Sequence, residues 1–261
     1  MAPQKLYFPD PTPKSLFIGF ALIAVGALVF SNTSSFERPA QEVRATTLDN
    51  DFPGGYQVAV ADINGDGKPD VLCLGGTVAW LENATWQKRP ITADQTRNNI
   101  DLAPYDIDGD GRLDLVIASD FTLNDSTHGG TLSWFGRKPD LNQPWTPHPI
   151  DSHPTMHRIR WADVDGTGHK VLISAPILGR GAKGPEYDQV AAPLFLYRIP
   201  PNPLKDPWPR QVMDESFHVI HGIEIFDFDG DGREEILTAS YEGIWLFHAT
   251  GIGGDLKWSK T

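Results

Sequence analysis

Sulfur is scarce in this chain: of 261 residues, one is cysteine and three are methionine. A single thiol, Cys73, excludes an internal disulfide framework. It lies in the apolar stretch VLCLGG, where a buried thiol is the ordinary role. Lysine and arginine number 22 against 34 acids, a net charge of −12. They form no basic run, which argues against a nucleic-acid partner. Little of the sequence reads as helix. Outside the acidic turns described below no pair of carboxylates stands out, and this disfavours a hydrolase. The apolar run LFIGFALIAVGALVF at 16–30 falls short of the ~20 residues that span a bilayer comfortably.

That run has the length of a signal-peptide core. Residues 1–31 are therefore read as a signal peptide, or as an uncleaved N-terminal membrane anchor, with Lys5 and Lys14 ahead of the core. Both readings place the rest outside the cytoplasm: secreted, periplasmic or anchored, touching a membrane only through this segment. Residues 32–41 read as a linker, and 42–261 as one folded region.

Three acidic stretches organise that region: DINGDGKPD at 62–70, DIDGDGRLD at 106–114 and DFDGDGREE at 227–235. Oxygen side chains stand at alternate positions and again at the ninth. They are Asp62, Asn64, Asp66 and Asp70; Asp106, Asp108, Asp110 and Asp114; and Asp227, Asp229, Asp231 and Glu235. A hard cation such as Ca²⁺ takes several oxygens, and a tight loop delivers alternate side chains to one centre. An EF-hand would need Glu three positions further on, but Cys73, Ile117 and Thr238 stand there. The flanks read as strands. These are expected to be structural calcium loops between two strands, although acidic glycine-rich turns also serve as solvated hairpin connections. A fourth copy, DVDGTGHKV at 163–171, keeps Asp163 and Asp165 but has lost two carboxylates, and no tight ion is expected there.

The loop belongs to a longer repeat. After each loop comes an apolar strand, then one carrying an aromatic: TVAWLEN, TLSWFGR, PLFLYRI and GIWLFHA. A further strand opens on Trp86, Trp145 or Trp208. Four short strands per repeat predict an all-β propeller of four-stranded blades, with about four blades present. EVRATTLD at 42–49 resembles these outer strands. Either it closes a four-bladed ring or the chain is part of a larger propeller, the reading preferred here. An open blade edge would then invite self-association.

Aligned on the loops, Tyr56, Ile100, His157 and His221 begin the inner strands near the channel mouth. Two histidines at one repeat position in adjacent blades form a metal-ligand or sugar-binding arrangement, with Asp101, Arg158 and Arg160 nearby. The competing reading is that each histidine only caps its own strand with a hydrogen bond.

The DxNGDGxxD loops resemble the FG-GAP/VCBS repeats of calcium propellers. NNIDLAPYDIDGDG at 98–111, PTMHRIRWADVDG at 154–166 and HGIEIFDFDGDGREEILTASYEG at 221–243 look like the N-terminal propeller of the aldos-2-ulose dehydratase/isomerase family. The likeness implies part of a seven-bladed ring with a catalytic zinc, acting as a carbon–oxygen lyase on oxidised hexoses. Carried over, His157 and His221 match zinc ligands. Zinc would polarise the sugar carbonyl. Asp101 is then the candidate base by position, and Arg158 or Arg160 would hold substrate oxygens. The alternative is a non-catalytic propeller that binds a glycan or a protein.

Overall fold

The computed structural model describes residues 43–261. The export or anchor segment read at 1–31 lies outside the described residues. Four sheets of four strands make up residues Thr46–Thr261. Blade 1 holds β1 (Gln57–Ala61), β2 (Asp70–Leu74), β3 (Val78–Glu82) and β4 (Gln87–Pro90). Blade 2 holds β5 (Asp101–Tyr105), β6 (Asp114–Ser119), β7 (Thr131–Gly136) and β8 (Thr146–Ser152). Blade 3 holds β9 (Met156–Ala162), β10 (Val171–Pro176), β11 (Ala192–Tyr197) and β12 (Arg210–Phe217). Blade 4 holds β13 (Gly222–Phe226), β14 (Glu235–Ser240), β15 (Gly243–Thr250) and β16 (Lys257–Lys260). Each sheet is an antiparallel meander in chain order. Among the described residues the only helical turn is the 3₁₀ segment Gly253–Asp255.

The architecture is a β-propeller whose four blades do not close into a ring. Apolar alternation along the strands supplies both faces of a blade, so the cores lie between blades. Leu72, Leu74 and Trp80 of blade 1 meet Leu102, Leu115 and Ile117 of blade 2. Val116, Ala118 and Trp134 of blade 2 meet Ile159, Leu172 and Phe195 of blade 3. Ile173, Leu194 and Leu196 of blade 3 meet Ile223, Ile236 and Phe247 of blade 4. In every blade a basic or imidazole side chain of the fourth strand lies against an aromatic of the third. The pairs are Arg89 on Trp80, His148 on Trp134, Arg210 on Phe195 and Lys260 on Trp245. Such stacking adds to the cross-strand pairing of each sheet.

The alternative of a four-bladed ring closed by residues 42–49 is not what the described residues form. Among the described residues 43–49 no strand forms, and Thr47, Leu48 and Asp49 lie along the outward face of blade 1. Asp49 pairs with Lys88 at 2.8 Å. Blade 4 takes its outer strand, β16, from its own sequence: the Lys257–Lys260 segment pairs with β15.

Candidate functional site at the channel mouth

Every inner strand runs from the channel mouth towards an acidic loop, so mouth and loops lie at opposite ends of the blades. At the mouth the aligned positions of blades 3 and 4 meet. The ring centroids of His157 and His221 are 5.1 Å apart, with the planes tilted by 56°. Arg158 lies over the Tyr56 ring at 5.8 Å and donates to the Ile100 carbonyl at 3.3 Å, linking blade 3 to blades 1 and 2. His157 is 2% exposed, whereas His221 is open to solvent. Burial, then Arg158 and His221, pull the His157 pKa down to about 3, so this imidazole is neutral. Its Nδ1 is buried without a hydrogen-bond partner.

Asp101 and Arg160 stand deeper. The Asp101 carboxylate is 0% exposed. It accepts from the Ile159 amide at 3.0 Å, the Leu102 amide at 2.9 Å and Arg160 Nη1 at 2.9 Å. Burial pushes its pKa up, against the opposing pull of Arg160. A carboxylate so enclosed and committed ties blade 2 to blade 3; its geometry fits positioning of β9. One repeat earlier Gln57 does the same, accepting from the Leu102 amide at 3.1 Å. Of the three residues grouped as catalytic candidates, only Arg158 reaches the histidine pair's surroundings.

Two long loops wall the mouth. Phe121, on the loop after β6, lies 5.5 Å from the His157 ring. The loop after β10 adds Ile177, Leu178 and Tyr187, packed with Phe121 and Val219. The loops are tied together: Ser126 Oγ donates to the Ala182 carbonyl at 2.6 Å, and the Gly181 amide to the Ser126 carbonyl at 2.9 Å.

One pair on the same rim escaped the sequence reading. His218 Nδ1 lies 2.7 Å from Glu242 Oε1, which also accepts the His218 amide. The available signal was the HVIH spacing of His218 to His221 beside a Glu in the next hairpin turn.

At the far end, ligand atoms of Asp106, Asp108 and Asp114 lie within 4.8 Å of one another. So do those of Asp227, Asp229 and Asp231, and those of Asp229, Glu235 and His248. Among the described residues Asp62, Asp66 and Asp70 make no such group. In that loop Asp62 accepts from the Gly65 and Gly67 amides, and Asn64 turns to Glu82. The ninth-position acids also brace the blade. Buried Asp70 accepts from the Ile63 and Asn83 amides, and Asp114 from those of Ile107 and Arg137. Burial raises Asp114 to about 6, and the nearby Asp108 and Asp110 add to the effect. In the fourth loop Asp163 and Asp165 turn to Thr167, while Lys170 pairs with Glu234. Two grooves, about 490 and 180 Å³, lie on blades 1 and 4, the first reaching Tyr56 and the second Gly222 beside His221.

Comparison with known proteins agrees with this architecture. The FG-GAP repeat family matches residues 54–73. Aldos-2-ulose dehydratase of Phanerodontia chrysosporium is 23% identical over 226 residues, covering 78% of this chain and 24% of that protein. The chain thus spans about a quarter of that relative's length. A solved Agrocybe aegerita lectin, described as recognising non-reducing terminal N-acetylglucosamine, aligns with a TM-score of 0.49 and 16% identity. That alignment covers 80% of this chain and 52% of the lectin. The aldos-2-ulose dehydratase β-propeller family matches residues 129–261, the outer two strands of blade 2 and all of blades 3 and 4 with both histidines, and the chain belongs to that family.

Proposed function

We propose that this propeller takes an oxidised hexose at its histidine face, as a module of a zinc-dependent sugar dehydratase, a carbon–oxygen lyase. The observation that carries this reading is the histidine pair. Two imidazoles on one tetrahedral zinc, with Zn–N of about 2.0–2.1 Å, have ring centroids about 5 Å apart. The measured 5.1 Å fits that separation. His157 is neutral with an unpartnered nitrogen, the state a metal ligand needs. His157 and His221 would hold the ion, which supplies Lewis-acid polarisation of a sugar carbonyl when bound.

The chain's own groups bind and orient the sugar. Arg158 offers guanidinium donors to its oxygens. Phe121 and Tyr56 give apolar walls of the kind that cover a sugar's C–H face. Asp101 and Arg160 hold the start of β9, and so the direction of His157 and Arg158. His218 Nδ1 lies 2.7 Å from Glu242 Oε1, and this pair would offer polar contacts to the sugar on the same rim. We assign Ca²⁺ to the loops of blades 2 and 4, where the carboxylates cluster, and more weakly to blade 1 through Asp62, Asn64, Asp66 and Asp70. The apolar run at 16–30 supports an extracytoplasmic location.

Calorimetric titration with Zn²⁺ and then with an aldos-2-ulose tests the reading. His157→Ala and His221→Ala should each abolish zinc binding and leave calcium binding intact. Unchanged zinc affinity in both variants refutes it. A second reading, a non-catalytic propeller that binds a glycan or protein, is favoured by one observation: Asp101 is enclosed and paired. Sugar binding without loss of water would select it.

A further inference from the structure

Removal of water from an oxidised hexose needs a group that takes a proton from the carbon beside the carbonyl. Asp101, the candidate by position, is fully buried and already holds two amides and Arg160, so it does not serve. The rim of blade 4 carries another imidazole, His218, three residues before His221. Three residues extend at most about 11 Å, so the two backbones lie within that span. A hexose on the histidine pair bridges such a distance. Between them Ile220 is buried in the core, and Val219 packs on the loop cluster that includes Phe121, which lies against His157.

The turn between β14 and β15 fixes this imidazole. The His218 amide donates to both Glu242 oxygens at 3.0 Å, and Nδ1 lies 2.7 Å from Oε1. The Tyr241 amide donates to the His218 carbonyl at 2.9 Å, and Ser240 Oγ to Glu242 Oε2 at 2.9 Å. Although burial works against it, these donors hold the Glu242 carboxyl below its ordinary pKa. An ionised carboxylate only accepts, so a hydrogen bond at Nδ1 places the proton there and leaves Nε2 its lone pair. Blade 2 makes the same link in another form. Arg97, three residues before the aligned Ile100, pairs with Asp120 at 2.9 Å, and the Asp120 amide donates to the Arg97 carbonyl at 2.8 Å. A guanidinium thus ties this turn as well as an imidazole does. What histidine adds is a nitrogen that takes up and releases a proton near neutrality.

Resting on the zinc and sugar reading above, we propose that His218 is the proton acceptor of the dehydration and Glu242 its positioning residue. The C–H bond beside the carbonyl breaks and its proton passes to Nε2. The electron pair of that bond becomes the new carbon–carbon π bond. The C–O bond on the next carbon breaks with its own pair, and the hydroxyl leaves as water with the proton that Nε2 returns. The ring ends as it began, the sugar has lost one water, and nothing is oxidised or reduced.

The test uses the full chain with Zn²⁺, in detergent that keeps the 16–30 run solvated, and an aldos-2-ulose deuterated on the carbon beside its ketone. Loss of deuterium to solvent is followed by NMR and the unsaturated product by its absorbance. His218→Arg copies the blade 2 link to Glu242 but carries no base. It should melt with wild type, bind zinc equally and lower kcat by about 10²–10⁴-fold with KM little changed. His218→Ala, which needs no room for a longer side chain, should lose as much and regain part when imidazole is added. Glu242→Gln should lower kcat by about ten-fold or more, again with KM little changed. Wild-type turnover in His218→Arg or His218→Ala leaves the pair a turn staple and overturns the inference. Loss of zinc from His218→Arg overturns it too, because the residue then serves the ion. So does a wild-type chain that binds zinc and sugar yet releases neither deuterium nor water. A wild-type chain that binds no zinc refutes the reading beneath, and the inference falls with it.

Discussion

Asp101 offers the sharpest stability measurement. In Asp101→Ala the Ile159 amide, buried between blades 2 and 3, loses its acceptor. A buried unsatisfied donor costs about 1–3 kcal/mol. The Leu102 amide keeps Gln57 Oε1 at 3.1 Å and is not orphaned. Arg160 is 29% exposed and recovers water, so its lost partner adds about 0–1 kcal/mol. The expected loss is about 1–4 kcal/mol, or roughly 2–16 °C in Tm for a domain of this size. Asp101→Asn keeps an oxygen for the amide and should lose about half as much. Urea denaturation and thermal melts of the three proteins measure this directly. A loss below about 0.5 kcal/mol for the alanine variant, or a larger loss for asparagine than for alanine, refutes the latch. The pH dependence gives a second check. Burial raises this carboxyl's pKa in the fold, so its contribution to stability is full below its ordinary value and declines as pH rises through the folded one. The gap between wild type and Asp101→Ala should be widest on the acid side.

Chelation with EGTA should lower the Tm, and Asp108→Ala should mimic part of that effect while Asp165→Ala does not; equal, negligible shifts would remove calcium from the loops. Calcium affinity should fall as pH drops through about 6, because Asp114 must ionise to bind, and titrations at pH 5 and pH 7 should differ by about ten-fold or more. Gly130 has φ +68, and a Cβ there would collide with the His153 carbonyl oxygen. Gly130→Ala should therefore cost more than about 3 kcal/mol, measurable by denaturant melts.

The blades were legible because two periodicities coincide. Alternating apolar positions mark each strand, and the acidic turn marks the same corner of each blade. Trp86, Trp145 and Trp208 mark the openings of the outer strands, and β4, β8 and β12 follow them. The place of residues 42–49 was not legible. EVRATTLD has the pattern of an outer strand, but Asp49 finds Lys88 on blade 1, and no local pattern encodes that choice. Asp101 was placed near the site by its offset from the loop. The capture of its carboxylate by the next blade's amide depends on inter-blade register, which no single segment reports. His218 went unremarked because its partner, Glu242, arrives from a different hairpin.

The meander connectivity has a consequence for how the chain reaches this state. Every hydrogen-bonded strand pair joins neighbours in sequence. Loop closure within a blade is therefore short, and blades can form early and independently. Docking them end on end then resembles a one-dimensional array, in which an internal blade gains two neighbour contacts and a terminal blade one. Hydrogen exchange should accordingly be slowest in blades 2 and 3. Blades 1 and 4 should open by lower-energy fluctuations. The acidic corners and the channel mouth are thus carried on units of unequal persistence. Of the two histidines, His221 rides at the edge of the blade that opens more readily, and His157 on the blade that holds.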